Sequence, residues 1–374
     1  MNPFSTSPCT AVVNLSAIRR NYEKCAALGH MMPVIKSDAY GHGMLAVADA
    51  LDAAGARDFA VGTVSEAAAL RGAGFTQFIT CLLGAQGMDD MARACALGVT
   101  PLITSFDSLA LAALQGTPER PFAVGIKCNT GMTRLGFGPE EIPSLLDHLR
   151  ALPNLRPVLA LSHLACADMP EQEDYTREQI ATFEAMSRAL RTAFPGMRRS
   201  LANSAATLAM PECRYELCRP GLVLYGGNPF HGTDRAGLGD GLQWAMSVKT
   251  PILQVRGIRQ GVSVSYGRLF TSPRPTRVAV LAVGYADGFP RDASGKVRIL
   301  INGQLVPQIG RVCMGMIMAD VSSLPAVRAG DEAWILGGPA GGPQGMSPQD
   351  WADLRGTIPY EIMCLLGRNT REYV

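Results

Sequence analysis

The chain has little net charge, no apolar run long enough to span a membrane, and no recognisable secretion leader. Its 34 basic residues nearly balance its 32 acidic ones, which leaves a formal net charge of +2 over 374 residues. The charges are scattered, so nothing favours nucleic acid or an anionic membrane as a partner. The N-terminal segment MNPFSTSPCTAVV lacks a basic start followed by an apolar core. We therefore expect a soluble, cytoplasmic protein with no membrane partner.

Metal-ligand and disulfide patterns are also missing. The ten cysteines contain no CxxC pair, and Cys213 and Cys218, the closest two, have no histidines at zinc-ligand spacing. We expect reduced, mostly buried thiols and no metal. Hydrophobic residues make up 47% of the chain, enough for a large core, and this length favours two domains.

The first two thirds of the chain alternates short apolar runs with amphipathic helical stretches. Eight runs have strand-like composition: MPVIK, DFAVGTV, QFITCLL, TPLITSF, PFAVGIKC, PVLALSHL, RRSLANS and ELCRPGLVLYG. RRSLANS is the weakest and is included mainly because the pattern needs it. Eight such units in roughly 200 residues predict an α/β fold with a (β/α)8 TIM-type barrel rather than an open doubly wound sheet. We expect the barrel to occupy residues 12–230 and to close near Tyr225.

The pattern changes after Gly226. A Gly- and Asp-rich junction, NPFHGTDRAGLGDG, leads into β-branched segments separated by turn residues, and no helical stretch interrupts them until SPQDWADLRG. We expect a smaller, mainly β domain at residues 241–374, and residues 1–11 could pair with it.

Polar residues and one glycine stand at or near the ends of several predicted barrel strands, at the edge where barrel enzymes place their chemistry. The first strand ends in Lys36 and the sixth in His163, the seventh contributes Asn203 and Ser204, and the eighth contributes Arg219 and Gly221. The loops after strands seven and eight often bind a phosphate group in such barrels. A lysine opposite a phosphate site predicts pyridoxal phosphate, held as a Schiff base on Lys36.

Each of these residues also has a structural explanation when it is taken alone. Ser204 could be the N-cap of the helix AATLAM, His163 a core histidine with its hydrogen bonds satisfied, and Gly221 a turn residue. The prediction of a cofactor site therefore rests on their combination.

A series of motifs along the chain resembles the alanine racemase family. In the family's order, from about residue 30 to 362, they are VIKSDAYGHG, KCNTGMTRLGF, SHLACAD, ANSAAT, RPGLVLYG, VSYGRLF, GYADGFPR, GRVCM and IPYEI. The resemblance implies a barrel plus a β domain, a head-to-tail homodimer with shared active sites, and pyridoxal phosphate as cofactor. It also implies that the substrate is alanine and that the product, D-alanine, supplies the bacterial cell wall.

The same resemblance implies roles for the catalytic residues. Lys36 and Tyr266, the latter from the other subunit, would be the two bases on opposite faces of the substrate Cα. Arg219 would keep the pyridine nitrogen of the cofactor unprotonated, which favours quick reprotonation at Cα over transamination. His163 would hydrogen-bond this arginine from behind.

The resemblance also implies roles in binding the cofactor and the substrate. Arg134 would lie near the cofactor's phenolic oxygen and the substrate carboxylate, supported by a carbamylated Lys127. The residues implied for cofactor binding, mainly to the phosphate, are Tyr40, Asn203, Ser204, Gly221, Leu222 and Tyr360. Met314 and Tyr285 would line the substrate entrance.

Three departures from the family pattern keep alternatives open. Gly315 and Asn129 stand where the family usually has acids, and the ending LLGRNTREYV is atypical. Loss of the acid beside Met314 leaves a serine or broad-specificity racemase possible. A related amino-acid decarboxylase is less favoured because it would have an acid at the pyridine nitrogen instead of Arg219. A non-enzymatic cofactor carrier should lack the β domain and Tyr266.

Overall fold

The computed structural model describes residues 8–342 and 344–374. Its strands are β1 (Thr10–Val13), β2 (Asp58–Val61), β3 (Phe78–Cys81), β4 (Thr100–Ile103), β5 (Phe122–Lys127), β6 (Leu155–Leu161), β7 (Arg198–Ser200), β8 (Met246–Ile258), β9 (Ser263–Val264), β10 (Phe270–Thr271), β11 (Thr276–Leu281), β12 (Arg298–Ile301), β13 (Gln304–Ile309), β14 (Ile317–Asp320), β15 (Glu332–Leu336) and β16 (Thr370–Tyr373).

The right-handed helices are α1 (Leu15–Ala26), α2 (Met44–Ala53), α3 (Val64–Gly72), α4 (Met88–Ala96), α5 (Phe106–Ala113), α6 (Ile142–Arg150), α7 (Glu173–Ala193), α8 (Ser204–Ala209), α9 (Pro348–Arg355) and α10 (Pro359–Leu366). The described residues form two compact units. The barrel unit comprises Arg19–Ala39 and Met44–Leu242, and the β unit comprises the described residues up to Ile18, Tyr40–Gly43 and Gln243–Val374.

The barrel unit contains six parallel strands in the order β2-β3-β4-β5-β6-β7. Most helices between them follow their strand after a few residues, as in the βα units that the sequence predicts. Every residue of β2 and of β4 is buried. Strands of a parallel sheet are covered on both faces, which explains why these runs are apolar after their first residues, Asp58 and Thr100, rather than alternating.

Two extended segments close this sheet into a ring. Met32 donates its N–H to the carbonyl of Cys218 at 2.7 Å, and Ile35 donates to the carbonyl of Ala60 in β2 at 2.9 Å. On the other side, Leu217 donates to the carbonyl of Arg199 in β7 at 3.1 Å. The segments around Met32 and Cys218 are therefore the first and eighth barrel strands, and the predicted eight-stranded barrel is confirmed.

The eighth strand ends earlier than its composition indicates. The apolar run LVLY, Leu222–Tyr225, is a buried 3-10 helix rather than part of the strand. Pro220, just before it, has no N–H to continue the ladder of hydrogen bonds. The hydroxyl of Tyr225 donates instead to the carbonyl of Val34 in the first strand, at 3.1 Å.

A left-handed turn follows the first barrel strand. Ser37, Asp38, Ala39 and Tyr40 all have φ of 54° or 55°. Left-handed backbone costs a residue other than glycine roughly 1–2 kcal/mol, and consecutive residues rarely adopt it. Because the sequence holds no glycine between positions 36 and 40, other parts of the structure must stabilise this turn.

The β unit is built around the 13-residue strand β8. This strand pairs with β11 and β15, and the order β11-β14-β13-β12-β15 completes a ring of six strands. Trp351 of α9 is fully buried in the core of this unit, edge-on to Phe289, and its indole N–H donates to the carbonyl of Ile335 at 3.1 Å. The predicted smaller, mainly β domain is confirmed.

The strand β1 also belongs to the β unit. It pairs in parallel with β16 and antiparallel with the start of β8, Thr10 lying opposite Lys249. Of the N-terminal residues predicted to pair with the β domain, 1–7 lie outside the described residues. The domain boundaries at residues 12, 230 and 241 stay predictions. Within the described part of the chain, no helix is both long and apolar enough to cross a membrane.

Candidate active site

Four of the predicted site residues lie at the C-terminal ends of barrel strands. Lys36 ends the first strand, Lys127 ends β5, His163 comes two residues after β6, and Arg219 follows Cys218 in the eighth strand. Parallel strands bring these ends to one edge of the barrel. The sequence prediction of a common edge therefore agrees with the topology of the barrel unit.

Arg219 is anchored on several sides. It is 3% exposed, its Nη1 donates to Ser200 Oγ at 2.6 Å, and its Nη2 donates to the carbonyl of Ser162 at 2.6 Å and to that of Leu201 at 3.2 Å. Its Nε–H has no acceptor among the described residues. Burial lowers the pKa of Arg219 to about 10, so the guanidinium remains charged at neutral pH. It is a fixed cation with one N–H donor available.

His163 lies against this cation. Arg219 Nη2 is 3.1 Å from His163 Nδ1. Burial, followed by the positive charges of Arg219 and Lys127, lowers the pKa of His163 well below its ordinary value. The imidazole is therefore neutral, and Nδ1 accepts the hydrogen bond while Nε2 carries the proton.

Lys127 is a buried lysine with the cations Arg219 and Arg134 nearby. It is 8% exposed, and burial, followed by the charge of Arg219, lowers its pKa to about 7. A Cβ on Gly136, which has φ of +108°, would lie only 2.7 Å from Lys127 Cγ. The chain thus packs tightly against this lysine, and a large fraction of its amine is neutral and nucleophilic near pH 7.

Asn129 shapes the loop that carries Arg134. Its Oδ1 accepts hydrogen bonds from the N–H of Gly131 at 3.2 Å and of Thr133 at 2.9 Å. An amide oxygen is sufficient for both bonds, which explains how asparagine can stand where the family usually has an acid. None of the carboxylates in the described ranges is within ion-pair distance of Arg134.

A buried polar network behind the strand ends escaped the sequence analysis. Thr130 Oγ1 lies 2.7 Å from Ser162 Oγ, and Gln179 of α7 donates to the carbonyl of His163 at 3.3 Å and accepts from the N–H of Ala165 at 2.9 Å. The available signal was Gln179 itself. It is a polar residue on the buried face of α7, in helical register with Thr176, Phe183, Met186 and Leu190.

The loops after β7 and the eighth strand are joined through Ser204. Its Oγ accepts from the N–H of Gly221 at 3.0 Å and of Val223 at 3.5 Å. Asn203, not Ser204, is the N-cap of α8, because Asn203 Oδ1 accepts from the N–H of Ala206 at 3.1 Å. The N-cap explanation for Ser204 is therefore wrong. Leu222, next to Gly221, is buried and begins the 3-10 helix.

Two of the residues implied for the phosphate belong to the β unit. The rings of Tyr40 and Tyr360 have centroids 5.5 Å apart and are tilted by 40°. Burial raises the pKa of Tyr40 far above its ordinary value. Its phenol thus stays protonated and can act as a hydrogen-bond donor.

The remaining predicted residues are exposed on the β unit: Tyr266 by 71%, Met314 by 62% and Tyr285 by 44%. Ser265 Oγ donates to the carbonyl of Arg311 at 2.6 Å and lies 3.3 Å from Cys313 Sγ. Tyr285 donates its N–H to the carbonyl of Cys313 at 3.0 Å. These bonds around Cys313 hold the chain segments that carry Tyr266, Tyr285 and Met314 next to one another.

Gly315 directly follows Met314 in the chain. A Cβ at this position would meet no atom within 4 Å. Packing within the chain thus does not explain the absence of a side chain there.

The sequence matches two family models over nearly its whole length. Residues 13–229 match the alanine racemase N-terminal domain, and residues 245–374 match the alanine racemase C-terminal domain. An alanine racemase of Nitratidesulfovibrio vulgaris is 47% identical over 372 residues, which cover 99% of this chain and 98% of the relative. That of Mycobacterium tuberculosis is 38% identical over 390 residues, with coverage of 100% and 98%.

Solved structures agree with this match. The biosynthetic alanine racemase of Pseudomonas aeruginosa superimposes with a TM-score of 0.84 at 34% identity, over 99% of this chain and 100% of that one. The alanine racemase of Bartonella henselae, solved with covalently bound pyridoxal phosphate, gives a TM-score of 0.85 at 28% identity, over 98% and 99%. The chain therefore belongs to the alanine racemase family of pyridoxal-phosphate-dependent enzymes.

Proposed function

We propose that this protein interconverts L-alanine and D-alanine with pyridoxal phosphate bound to Lys36. The observation that carries the proposal is Arg219, a buried cation with its Nη atoms anchored and its Nε–H without an acceptor among the described residues. A cofactor ring nitrogen with a free lone pair is a suitable acceptor for that N–H. The site residues thus fit the cofactor that the family uses.

Pyridoxal phosphate, when bound, withdraws electrons from the Cα of an attached amino acid and so lets the Cα proton leave. Arg219, whose pKa of about 10 keeps it charged, would hold the ring nitrogen unprotonated and limit this withdrawal. His163, being neutral, supports the guanidinium without competing as a cation. This balance favours quick return of a proton to Cα over transamination.

The residues after β7 and the eighth strand would hold the phosphate. Ser204 offers a hydroxyl, which Gly221 already holds through its N–H, and Leu222, the first residue of the 3-10 helix, offers a backbone N–H, a donor suited to a phosphate oxygen. Asn203 would act by fixing the start of α8. Tyr40 and Tyr360 would contribute phenolic hydroxyls.

Two bases are needed because a racemase must remove and return a proton on both faces of Cα. We assign the amine of Lys36 to one face and the phenol of Tyr266 from a second copy of the chain to the other. The 71% exposure of Tyr266 supports this assignment, because a base acting in a partner's site must be accessible on its own chain. The active form would be a head-to-tail homodimer.

Arg134 would bind the substrate carboxylate. Its loop is shaped by Asn129, and no carboxylate of the described chain supports its charge. We assign that support to a carbamate formed when the neutral amine of Lys127 adds carbon dioxide. Met314 and Tyr285 would line the entrance for the substrate.

A serine or broad-specificity racemase is the second candidate, favoured by the open space at Gly315. A decarboxylase is disfavoured because Arg219 stands where that reaction needs an acid. Within the first candidate, the D-alanine produced in the cytoplasm would supply the bacterial cell wall.

The function is tested by incubating the purified protein and pyridoxal phosphate with single enantiomers of a panel of amino acids. Chiral chromatography should detect conversion of alanine in both directions, lost in Lys36→Ala and retained in Lys296→Ala, a change at an exposed lysine. Borohydride reduction and peptide mapping should locate the pyridoxyl group on Lys36. Label on another lysine would refute the assignment, and equal rates with serine would favour the broad-specificity candidate.

A further inference from the structure

Glu66 connects the ends of the first two barrel strands. It is the third residue of α3, and its Oε2 accepts from the N–H of Gly62 at 2.7 Å and of Thr63 at 3.1 Å. Its Oε1 accepts from the N–H of Ser37 at 2.6 Å. One carboxylate therefore receives three backbone donors, one of them from the residue that directly follows Lys36.

Helix capping explains the hydrogen bonds to only one oxygen of this carboxylate, Oε2. Thr63 and Glu66 form a capping box, in which Thr63 Oγ1 accepts from the N–H of Glu66 at 3.2 Å and Oε2 receives the N–H of Thr63 in return. That motif is complete without Oε1. The bond to Ser37, 29 positions away in the sequence, is an addition that stabilises no part of α3.

The carboxylate and the stem of the lysine side chain both lie beside Gly62. A Cβ placed on Gly62 would lie 3.0 Å from Glu66 Oε2 and 3.5 Å from Lys36 Cβ. Gly62 thus packs against both the acid and the lysine stem, and a side chain there would press on the carboxylate.

The bonded residue begins the left-handed turn. Ser37, Asp38 and Ala39 all have φ of 54°, a conformation that must be held from outside because it is unfavourable for such residues. Glu66 holds the turn at its start, and Asp38 Oδ1 holds its far side by accepting from the N–H of Met44 at 2.7 Å. If Ser37 relaxed, the direction in which the Lys36 side chain leaves the backbone would change.

We propose that Glu66 is a positioning residue that sets the orientation of Lys36 for cofactor attachment and proton transfer by binding the N–H of Ser37. The proposal rests on the proposed function, in which Lys36 binds pyridoxal phosphate. Glu66 acts through the backbone and needs no contact with the substrate.

Three variants separate positioning from helix capping. Glu66→Gln keeps the length of the side chain but replaces one oxygen by a donor, so it cannot serve the N–H groups on both sides. Glu66→Asp keeps the negative charge and an acid in the first turn of α3, but it is too short to reach Ser37. Thr63→Ala is the matched control, because it damages the capping box and leaves the Glu66–Ser37 bond in place.

Both Glu66 variants should lower kcat for alanine roughly ten- to a hundredfold, the scale expected for a small misplacement of a reacting group, with little change in KM. They should also alter the visible circular dichroism of the bound cofactor and lower the fraction of Lys36 labelled by borohydride at limiting pyridoxal phosphate. Thr63→Ala should lower Tm while keeping the parental kcat and spectrum.

The proposal is wrong if both Glu66 variants keep the parental kcat and circular dichroism, or if Thr63→Ala reproduces their losses. If Glu66→Asp fails to fold, Glu66→Gln, with an unchanged side-chain size, decides the matter by the same criteria. Borohydride labelling and peptide mapping of the parental protein distinguish a failure of the proposed function from a failure of the role of Glu66. Label away from Lys36 overturns the proposed function, whereas label on Lys36 with unaffected Glu66 variants overturns only the role of Glu66.

Discussion

Nη2 of Arg219 lies 3.1 Å from Nδ1 of His163, in a hydrogen bond between a buried, charged guanidinium and a partly buried, neutral imidazole. The pKa of His163 is lowered well below its ordinary value by burial and by the neighbouring cations. This pairing lets the protein keep a permanent cation at the end of the eighth strand without placing a second, titrating cation against it. The charge of the Arg219–His163 pair thus does not change with pH in the range where free histidine titrates.

Replacing Arg219 by glutamate should slow alanine racemisation by several powers of ten, each corresponding to about 1.4 kcal/mol of barrier. The carboxyl group could protonate the pyridine nitrogen, so transamination should increase relative to racemisation. Racemisation is followed by chiral chromatography, and transamination by the release of pyruvate. Arg150→Glu, on the exposed face of α6, is the control, and a parental rate in Arg219→Glu would contradict the role of the cation.

Lys127 should be partly carbamylated at neutral pH. Its pKa of about 7 means that the neutral, reactive amine predominates above pH 7 and is lost as the pH falls below it. Carbon-13 NMR with labelled bicarbonate should therefore give a carbamate signal at pH 8 that weakens toward pH 6. Lys127→Ala should lose activity that acetate partly restores, by standing in for the carbamate. Full activity in the variant without acetate would exclude the carbamate as a functional group.

Asn129 should be replaceable by aspartate but not by leucine. Aspartate keeps an oxygen that can accept from the N–H groups of Gly131 and Thr133. Leucine has no acceptor, so both N–H groups would lose their hydrogen bond. Because the loop carries Arg134, Asn129→Leu should raise KM for alanine about tenfold, the loss of roughly 1.4 kcal/mol of binding. Steady-state kinetics of both variants provide the measurement. Equal KM values for alanine in the Asn129→Leu and Asn129→Asp variants would show that the turn does not orient Arg134.

Inactive Lys36→Ala and inactive Tyr266→Phe should complement each other after subunit exchange. In a shared-site homodimer, a mixed dimer has one doubly damaged site and one intact site, so random equal exchange should recover roughly a quarter of the parental activity. Each variant exchanged with itself is the control. If no activity returns although mass spectrometry of differently tagged subunits confirms exchange, the two residues act in the same chain's site.

Much of the fold was accessible from local sequence patterns. Hydrophobic runs and helical periodicity are properties of short windows, and they sufficed to predict the eight barrel strands and the change to a β domain, both of which are confirmed. The family and the enzyme class, expected from the motif series, are confirmed as well. The strand prediction was wrong at Leu222–Tyr225, because a buried 3-10 helix and a buried strand have the same apolar composition.

The sequence by itself determined which residue types stand at the strand ends, because residue identity and strand position are both local properties. Only the tertiary structure decided how those residues are held. The bond from Ser37 to Glu66, the network of Gln179 and the neutral state of His163 all depend on groups that are distant in sequence or on burial. A pKa or a left-handed backbone turn is set by surroundings that many segments build together, and no single window of the sequence contains them.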